Sequence, residues 1–413
     1  MEVFLHKSLL AASFALATTM VIEAAPAQAS DNYQITQVGT EVPTPGLNRT
    51  TFTVSAGPSA LETFHVVRVR QASTSHHGDP PVILISPFSF PAEFWEITSV
   101  GAYADTYAAR VASAGYDVWL VDSRGSSIAP GSCESGAVDC SPMGQWGIDL
   151  SVEDAMFVQR LVKSFTPNKK PVIGGLSGGS TTAIATINKY PSKFSGLFMW
   201  EGTIFTEVPA IHTRNANFCA QDEARMAAGN FADPSVQGFK TLFQLAEADP
   251  NGPSPIPVFP PGTTNLQALL FAFTMPDPNN PLNFTDDFVR MIGDPFTTTL
   301  AYADIDRVFG FGSLIPTYAP VPFIRDSHCA MGNVTGYADR WADRLDKFHG
   351  DALVFVEGHG FNQMMFDTAS LLTKADVTID YHAEFGESDR YFNRDWVTVA
   401  VNPLLAWLAG VKF

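Results

Sequence analysis

Residues 171–180 read Pro-Val-Ile-Gly-Gly-Leu-Ser-Gly-Gly-Ser and decide the fold of this 413-residue chain. A short apolar run leads directly into Gly175-Leu-Ser-Gly-Gly179, which is the pattern G-x-S-x-G at the end of a predicted strand. The flanking glycines permit a sharp turn, because a Cβ there would collide with the neighbouring backbone. Residues 180–187 favour a helix, whose N-terminus stabilises negative charge. We therefore predict that Ser177 is a nucleophile held out on a strand-to-helix turn.

Apolar strands and helical segments alternate on both sides of this turn. Strands are predicted at 81–86, 115–125, 171–176, 194–202, 351–357 and 376–382, and helices at 104–114, 149–162 and 403–408. The helix over 149–162 has Asp149 or Ser151 as its expected N-cap. Such alternation predicts a parallel sheet that is covered by helices on both faces.

The order of these elements and the serine turn resemble the α/β-hydrolase fold. Residues 116–125, Tyr-Asp-Val-Trp-Leu-Val-Asp-Ser-Arg-Gly, are similar to the corresponding strand and turn of the acid-lipase and esterase branch. The resemblance covers about residues 80–202 and 350–411. It implies an α/β protein with a mostly parallel central sheet, helices on both faces, a large inserted cap, and acyl transfer through a serine.

The N-terminus has the features of an export signal. Residues 1–7 contain one lysine, residues 8–25 are mostly apolar, and Ala27-Gln-Ala29 fits a small-x-small cleavage site before Ser30. Since Glu23 interrupts the apolar run, we expect a cleaved signal peptide over 1–29 rather than a spanning anchor. The protein is then secreted or periplasmic.

The mature chain is predicted to form one domain with an insertion. Residues 30–202 and 349–413 would form the hydrolase core, because the elements at both ends must share one sheet. Residues 203–348 would form a cap or lid rich in Phe, Pro and Ala. Within the cap, residues 309–315 either line an apolar acyl pocket or belong to the cap's own core.

Charge argues against several classes of partner. The formal net charge is −17 and no basic cluster occurs, so we expect neither nucleic acid nor anionic membrane surfaces as partners. No stretch after the N-terminus is apolar enough for stable membrane insertion. A small-molecule or lipid-like ester is the expected partner.

Four cysteines remain in the mature chain, and export would allow them to pair. Cys133 and Cys140 lie in one Gly- and Ser-rich segment, which favours a local disulfide. Cys219 and Cys329 then pair by elimination, although four cysteines allow three connectivities. No C-x-x-C or H-E-x-x-H spacing occurs, so no metal is expected. The predicted reaction needs no cofactor.

The catalytic histidine is the open question. The fold's order of nucleophile, acid and histidine places the histidine in a closing Gly-His-x-Asp turn, but Glu387 stands at that position. His382 ends the last predicted strand and preserves the order, so it is the preferred base. His359 lies in the preceding loop and is the alternative, paired with Glu387 in an exchanged arrangement.

The acid has two candidates. Glu357 ends the strand before the usual acid loop, and Glu201 ends the strand after the serine turn, a position that some members of the fold use. We prefer Glu357. For either residue, the alternative is a purely structural carboxylate.

The resemblance also implies an oxyanion hole. One N–H would come from the residue after the nucleophile, which is Gly178. The other would come from the turn after the early strand, where Pro87 has no N–H and Phe88 is therefore preferred over Ser89.

These residues predict a serine hydrolase that cleaves carboxylic esters of an apolar acyl substrate through an acyl-enzyme on Ser177. Two alternatives remain open. Because Glu387 replaces the expected histidine, the chain could be a catalytically silent homologue that binds an apolar ligand. An acyltransferase would keep the chemistry and change the acceptor.

Overall fold

The computed structural model describes residues 33–72, 79–126, 128–274, 288–292 and 299–412. The strands in these ranges are β1 (Gln34–Thr44), β2 (Leu47–Ser55), β3 (Thr63–Gln71), β4 (Val82–Ile85), β5 (Val118–Val121), β6 (Val172–Leu176), β7 (Gly196–Trp200), β8 (Ala232–Asp233), β9 (Ala319–Pro320), β10 (Asp351–Glu357) and β11 (Asp376–His382). The helices are α1 (Tyr107–Ser113), α2 (Ile148–Phe165), α3 (Gly178–Lys189), α4 (Pro209–Ala227), α5 (Val236–Ala248), α6 (Asn265–Thr274), α7 (Ile305–Leu314), α8 (Val321–Met331), α9 (Gln363–Ser370), α10 (Asp389–Phe392) and α11 (Asn402–Leu408).

Nine strands form one mixed sheet in the order β1-β2-β3-β5-β4-β6-β7-β10-β11. The first three strands and the β3–β5 contact are antiparallel, and the remaining pairs from β5 to β11 are parallel. The parallel strands β4 to β7 are short apolar runs that are buried on both faces, as helices on both sides require. The predicted α/β class with a mostly parallel sheet is confirmed.

Alternate residues of the central strands enter two separate hydrophobic cores. Leu84 and Leu120 belong to the core beneath α1 and α11, whereas Ile83 and Trp119 belong to the core beneath α2 and α3. This division follows from the period of two along a strand, which sends neighbouring side chains to opposite faces. The sheet therefore holds its C-terminal edge rigidly between two packed layers.

The sequence analysis missed the three N-terminal strands. β2 and β3 pair without a break from Leu47↔Gln71 to Ser55↔Thr63, and β1 pairs with β2. The sequence does contain a pattern that is typical of strands, because β-branched and aromatic residues recur in 47–55 and 63–71. These antiparallel strands extend the sheet before the parallel part begins.

The predicted N-cap of the helix over 149–162 is wrong. α2 begins at Ile148, and its N-cap Gly147 has no side chain to offer. Instead, the carboxylate of Asp326, which lies on α8, accepts the N–H of Ile148 at 2.9 Å. A side chain 178 positions away along the chain therefore caps the helix, and local sequence rules do not detect such a cap.

Between β7 and β10 lies the segment predicted as the cap. It contains α4 to α8 and the small antiparallel sheet of β8 and β9. α4 and α8 pack together and are joined by the disulfide Cys219–Cys329. The second disulfide, Cys133–Cys140, closes a loop in the insertion between β5 and α2. Both predicted pairings are present.

The predicted signal peptide over 1–29 lies outside the described residues. In the part of the chain that the structure describes, no helix has both the length and the apolar character needed to cross a membrane.

Candidate active site at the C-terminal edge of the sheet

Ser177 occupies the turn between β6 and α3. Its φ and ψ are 53° and −123°, so a non-glycine residue lies in the left-handed half of backbone space. Such a conformation costs about 1–3 kcal/mol and persists only where the surroundings impose it. The N–H of Ser177 donates to the carbonyl of Trp200 on β7, and the N–H of Thr181 donates to the carbonyl of Ser177. The turn is thus the strained elbow that the sequence predicts.

The backbones of Gly178 and Phe88 lie against each other beside the elbow. A Cβ built on Gly178 would lie 3.0 Å from the nitrogen of Phe88 and 2.6 Å from its Cβ, so only glycine allows this approach. The two predicted oxyanion donors are therefore neighbours in space. The second choice, Ser89, has a φ of 62° and a buried hydroxyl that has no hydrogen-bond partner among the described residues.

The turn after β5 holds the loop that contains the oxyanion candidate. The N–H of Ala92 donates to Asp122 Oδ1 at 2.6 Å. Ser123 adds two bonds, because its hydroxyl donates to the carbonyl of Pro87 and its N–H donates to the carbonyl of Phe90, both at 3.0 Å. These three bonds fix both ends of the loop, and the sequence analysis did not assign this role to either residue.

Asp122 also binds His65 on β3. Its Oδ2 accepts the backbone N–H of His65 at 2.8 Å and lies 2.9 Å from His65 Nδ1. This hydrogen bond raises the pKa of His65, although partial burial opposes it. The charge of a half-exposed histidine is therefore linked to the carboxylate that anchors the oxyanion loop.

Glu201 follows β7 directly and is fully buried. Its Oε1 accepts the N–H of Glu357 at 2.8 Å and its Oε2 accepts the N–H of Phe361 at 2.5 Å. Burial raises the pKa of Glu201, and the nearby Glu357 adds to this effect, while the two N–H donors oppose it. Both oxygens of this candidate acid are thus engaged with the backbone of the turn after β10.

Glu357, the preferred acid, ends β10 and is fully buried. Its Oε1 lies 2.6 Å from Nε of Arg390, which also binds Asp380. Burial raises the pKa of Glu357 to about 7, although Arg390 opposes the shift. The carboxylate is therefore one half of a buried ion pair, and the partner lies 33 positions later in the chain.

His382, the preferred base, ends β11 and is the register partner of Glu357. Its Nε2 lies 3.4 Å from Asp380 Oδ1, and its ring stacks on Phe385 with the centroids 4.5 Å apart. β11 is the third strand from β6, so a spacing of about 4.8 Å per strand places it about 14 Å from the elbow strand. His382 therefore lies on the last strand of the sheet, in contact with Asp380 and Phe385.

His359 lies in the turn after β10, which is the second strand from β6. Its N–H donates to the carbonyl of Phe385, and its Nδ1 lies 3.5 Å from Arg290 Nη1. A Cβ on the next residue, Gly360, would lie 3.1 Å from Cα of Glu387. The turn that carries His359 and the loop that carries Glu387 are therefore in direct contact.

No histidine or carboxylate of the described segments hydrogen-bonds the Ser177 hydroxyl. Catalytic hydrogen bonds are often long in a ligand-free site and tighten when substrate binds.

Aromatic side chains surround the oxyanion loop on the cap side. The rings of Phe88 and Phe323 on α8 lie 5.0 Å apart. Together with Gly178 and the Arg124–Asp154 ion pair, these two rings border a cavity of about 40 Å³, which has room for a few water molecules.

Phe311, which lies in the predicted pocket segment 309–315, is buried, and its ring stacks on that of Phe90 with the centroids 4.8 Å apart. Its ring belongs to the core.

Cys219 and Cys329 also lie close to Glu223, a set of residue types that can bind metal ions. Both sulfur atoms are joined in the disulfide, so neither is a free thiolate ligand.

The chain is similar in fold to several solved structures. The chain is similar to a protein of Sulfolobus solfataricus assigned as a lipase, with 16% identity, 91% of this chain and 100% of that chain covered, and a TM-score of 0.61. A bromoperoxidase from Bacillus anthracis has 13% identity, 85% and 98% coverage and a TM-score of 0.46. A carboxylesterase of Nitrososphaera gargenis has 11% identity, 89% and 98% coverage and a TM-score of 0.44. The sequence matches no protein-family model and no curated protein.

The sheet order, the serine elbow and the likeness to the Sulfolobus structure show that the chain has the α/β-hydrolase fold. At 16% identity the likeness says nothing further about the reaction. Within this fold, the chemistry depends on the residues at the elbow.

Proposed function

We propose that the protein is a serine hydrolase that cleaves carboxylic esters through an acyl-enzyme on Ser177. The strained elbow carries this proposal, because a φ of 53° on a serine between a strand and a helix exposes the hydroxyl at a high conformational cost. The adjacent backbones of Gly178 and Phe88 add the two N–H groups that an oxyanion requires.

His359 is the proposed base, and Glu387 is its proposed acid. The sheet order favours His359 over His382, because β10 lies one strand nearer to β6 than β11 does. The contact between Gly360 and Glu387 supports the pairing, since it joins the two loops next to His359. Compared with the usual order of the fold, the acid and the histidine would have exchanged loops.

In this mechanism, Ser177 Oγ attacks the ester carbonyl and its proton passes to His359. The N–H groups of Gly178 and Phe88 stabilise the oxyanion. Collapse of the tetrahedral intermediate releases the alcohol, which takes the proton from His359. Water then loses a proton to the same imidazole and attacks the acyl-enzyme. As the bond between the acyl carbon and Ser177 Oγ breaks, the imidazolium returns that proton to Oγ, which releases the carboxylic acid and regenerates the hydroxyl of Ser177.

We further propose that the acyl group is apolar and that the chain belongs to the acid-lipase and esterase branch of the fold. Phe88 and Phe323 support the apolar preference, because both rings lie next to the oxyanion loop. The resemblance of residues 116–125 to the corresponding strand and turn of acid lipases and esterases supports the assignment to that branch. Ester hydrolysis of this kind requires only protein groups and water.

Export is part of the proposal. The N-terminal pattern predicts cleavage before Ser30, and the two disulfides are compatible with an oxidising compartment outside the cytoplasm. Mass spectrometry of the N-terminus after expression with the full leader tests this, and a mature chain that keeps residues 1–29 would contradict it.

The test of the catalytic proposal is exposure of the mature protein to a fluorophosphonate probe, followed by peptide mass spectrometry. We expect an adduct on Ser177, steady hydrolysis of p-nitrophenyl esters, and loss of both in Ser177→Ala. His359→Ala should slow labelling by at least about 100-fold, while the matched variant His382→Ala should label at nearly the wild-type rate. Slower labelling in His382→Ala than in His359→Ala would instead identify His382 as the base.

A catalytically silent homologue that binds an apolar ligand is the second candidate. One observation favours it, since Glu387 stands where the fold usually places its histidine. Folded wild-type protein that neither labels nor hydrolyses esters would support this candidate and overturn the hydrolase. Adding an alcohol acceptor to an active preparation separates a hydrolase from an acyltransferase, because only the latter would form mainly the new ester.

A further inference from the structure

Glu201 directly follows the last residue of β7, and its backbone is strained. Its φ is 42°, in the region that side chains other than glycine rarely adopt. Ser177, which follows the neighbouring strand β6, has the same unusual sign of φ. Strained residues persist only where the surroundings impose them, and they cluster at functional sites.

The carboxylate of Glu201 spans the gap between β7 and the turn after β10. It accepts one N–H from Glu357 and one from Phe361, the two ends of the five-residue turn that contains His359. Each bond pairs a backbone donor with a buried carboxyl oxygen, and leaving such a donor without an acceptor is unfavourable. Two such bonds hold both ends of the turn to a single rigid strand.

The turn also fits closely around this carboxylate. A Cβ on Gly360 would lie 2.0 Å from Oε2 of Glu201, so any side chain at position 360 would displace the carboxylate or the turn. The close fit and the bond from Phe361 involve the same Oε2 atom, and both concern the segment next to His359.

The carboxylate is costly to keep at this position. It is fully buried, and burial together with Glu357 raises its pKa. Burying an ionisable group without a strong compensating contact is unfavourable, so a leucine or methionine would serve better if only packing mattered. The two backbone donors supply the specific reason for an acidic residue here.

We propose that Glu201 is a positioning residue for the active site: its carboxylate holds the turn from Glu357 to Phe361 and thereby sets the position of His359 relative to Ser177. This inference rests on the proposed function, in which His359 is the base. It assigns Glu201 a role through the backbone and not as the acid that contacts the imidazole.

Glu201→Gln is the first test. The glutamine amide presents an NH₂ where a backbone N–H needs an acceptor, so the turn must shift. A misplacement of about 1 Å can cost about 100-fold in rate. We expect kcat and the fluorophosphonate labelling rate to fall by about that factor, with KM changed by less than about threefold. Glu201→Asp keeps both acceptor oxygens and should restore part of the loss. Glu207→Gln, at an exposed site nearby, is the matched control and should change nothing.

A double-mutant cycle with His359→Ala distinguishes positioning from a general loss of structure. If Glu201 acts through His359, Glu201→Gln will have almost no further effect on labelling in the His359→Ala background. An equal loss in both backgrounds, or a wild-type rate in Glu201→Gln, overturns the inference. If Glu201→Gln does not fold, Gly360→Ala takes its place, because it displaces the same carboxylate contact and should show the same dependence on His359.

Hydrogen exchange of the amides of Glu357 and Phe361 gives a readout that does not need activity. Both should exchange faster in Glu201→Gln than in the wild type and the Glu207→Gln control. An inert wild type would overturn the proposed function, whereas an active wild type with an unaffected Glu201→Gln variant would overturn only the positioning role. Unchanged amide exchange would contradict the claim that Glu201 holds the turn.

Discussion

The amide N–H of Ser177 donates to the carbonyl oxygen of Trp200 at 2.9 Å. This bond continues the ladder between β6 and β7 up to the elbow, beyond the last register pair of Leu176 and Trp200. Ser177 and Glu201 therefore leave neighbouring strands at the same level. The candidate nucleophile and the carboxylate that holds the next turn are placed by one continuous pattern of sheet hydrogen bonds.

Gly178→Ala should damage the oxyanion hole. The new Cβ would lie 2.6 Å from Cβ of Phe88, so the two backbones must separate. Loss of one oxyanion donor typically costs about 100- to 1000-fold in kcat, and we expect a fall in that range for p-nitrophenyl ester hydrolysis. Gly238→Ala in α5 is the control, since the substitution there meets no atom of the described residues within 4 Å of the new Cβ. Comparable kcat in Gly178→Ala and wild type would show that the Gly178 amide does not bind the oxyanion.

Ser123→Ala removes the hydroxyl that binds the carbonyl of Pro87. We expect a loss of about 0.5–1.5 kcal/mol in the free energy of unfolding and a lower kcat, because the oxyanion loop loses one attachment. Chemical denaturation and ester kinetics measure the two effects. Ser164→Ala in α2 loses a similar bond to a backbone carbonyl and should affect stability alone. A kcat equally reduced in both variants would contradict the role of Ser123.

His65 should make the protein less stable as the pH rises through its titration. The hydrogen bond with Asp122 raises the pKa of His65 above its usual value near 6.5. The folded state then holds a proton that the unfolded state has lost, so the contribution is complete below about pH 6.5 and disappears above the folded-state pKa. Unfolding free energies of wild type and His65→Gln between pH 5 and 9 should converge as the pH rises. A pKa at or below 6.5, measured by NMR titration of the imidazole, would contradict this.

Glu357→Gln should affect stability more than catalysis. The carboxylate forms a buried ion pair with Arg390, and breaking such a pair costs up to about 3–5 kcal/mol. Arg390 keeps Asp380 as a partner, so we expect the lower end of that range. Fluorophosphonate labelling of Ser177 should remain within about threefold of wild type. A loss of labelling above about 100-fold in a folded variant would instead identify Glu357 as the acid of the triad.

The two disulfides should contribute unequally. Cys219 and Cys329 are separated by 110 positions, and Cys133 and Cys140 by 7. Loop-closure entropy predicts about 4.8 kcal/mol for the first and about 2.4 kcal/mol for the second. The double variant Cys219→Ser/Cys329→Ser should therefore have a lower Tm than Cys133→Ser/Cys140→Ser. The opposite order by calorimetry would show that strain or residual unfolded structure dominates.

Sequence alone determined the elbow and the class of fold. The requirements of the elbow are local: an apolar strand, glycines at close backbone approaches, and a helix that starts at once. The alternation of apolar strands with helices is also a local pattern, and it predicted the parallel half of the sheet. The pairing of Cys133 with Cys140 could be predicted because the two residues share one short loop.

Only the tertiary structure decided where the ionisable groups lie. Glu357 and Glu201 both lie at the ends of apolar strands, and the adjacent sequence does not predict their partners. Glu357 pairs with Arg390, whereas Glu201 accepts two backbone N–H groups. The cap of α2 by Asp326 is equally distant in sequence. A carboxylate's role depends on which donors surround it, and those donors come from segments that folding alone brings together. The same reason explains why the sequence could name two histidines, while the strand order is needed to place His359 after the second strand from β6 and His382 at the end of the third.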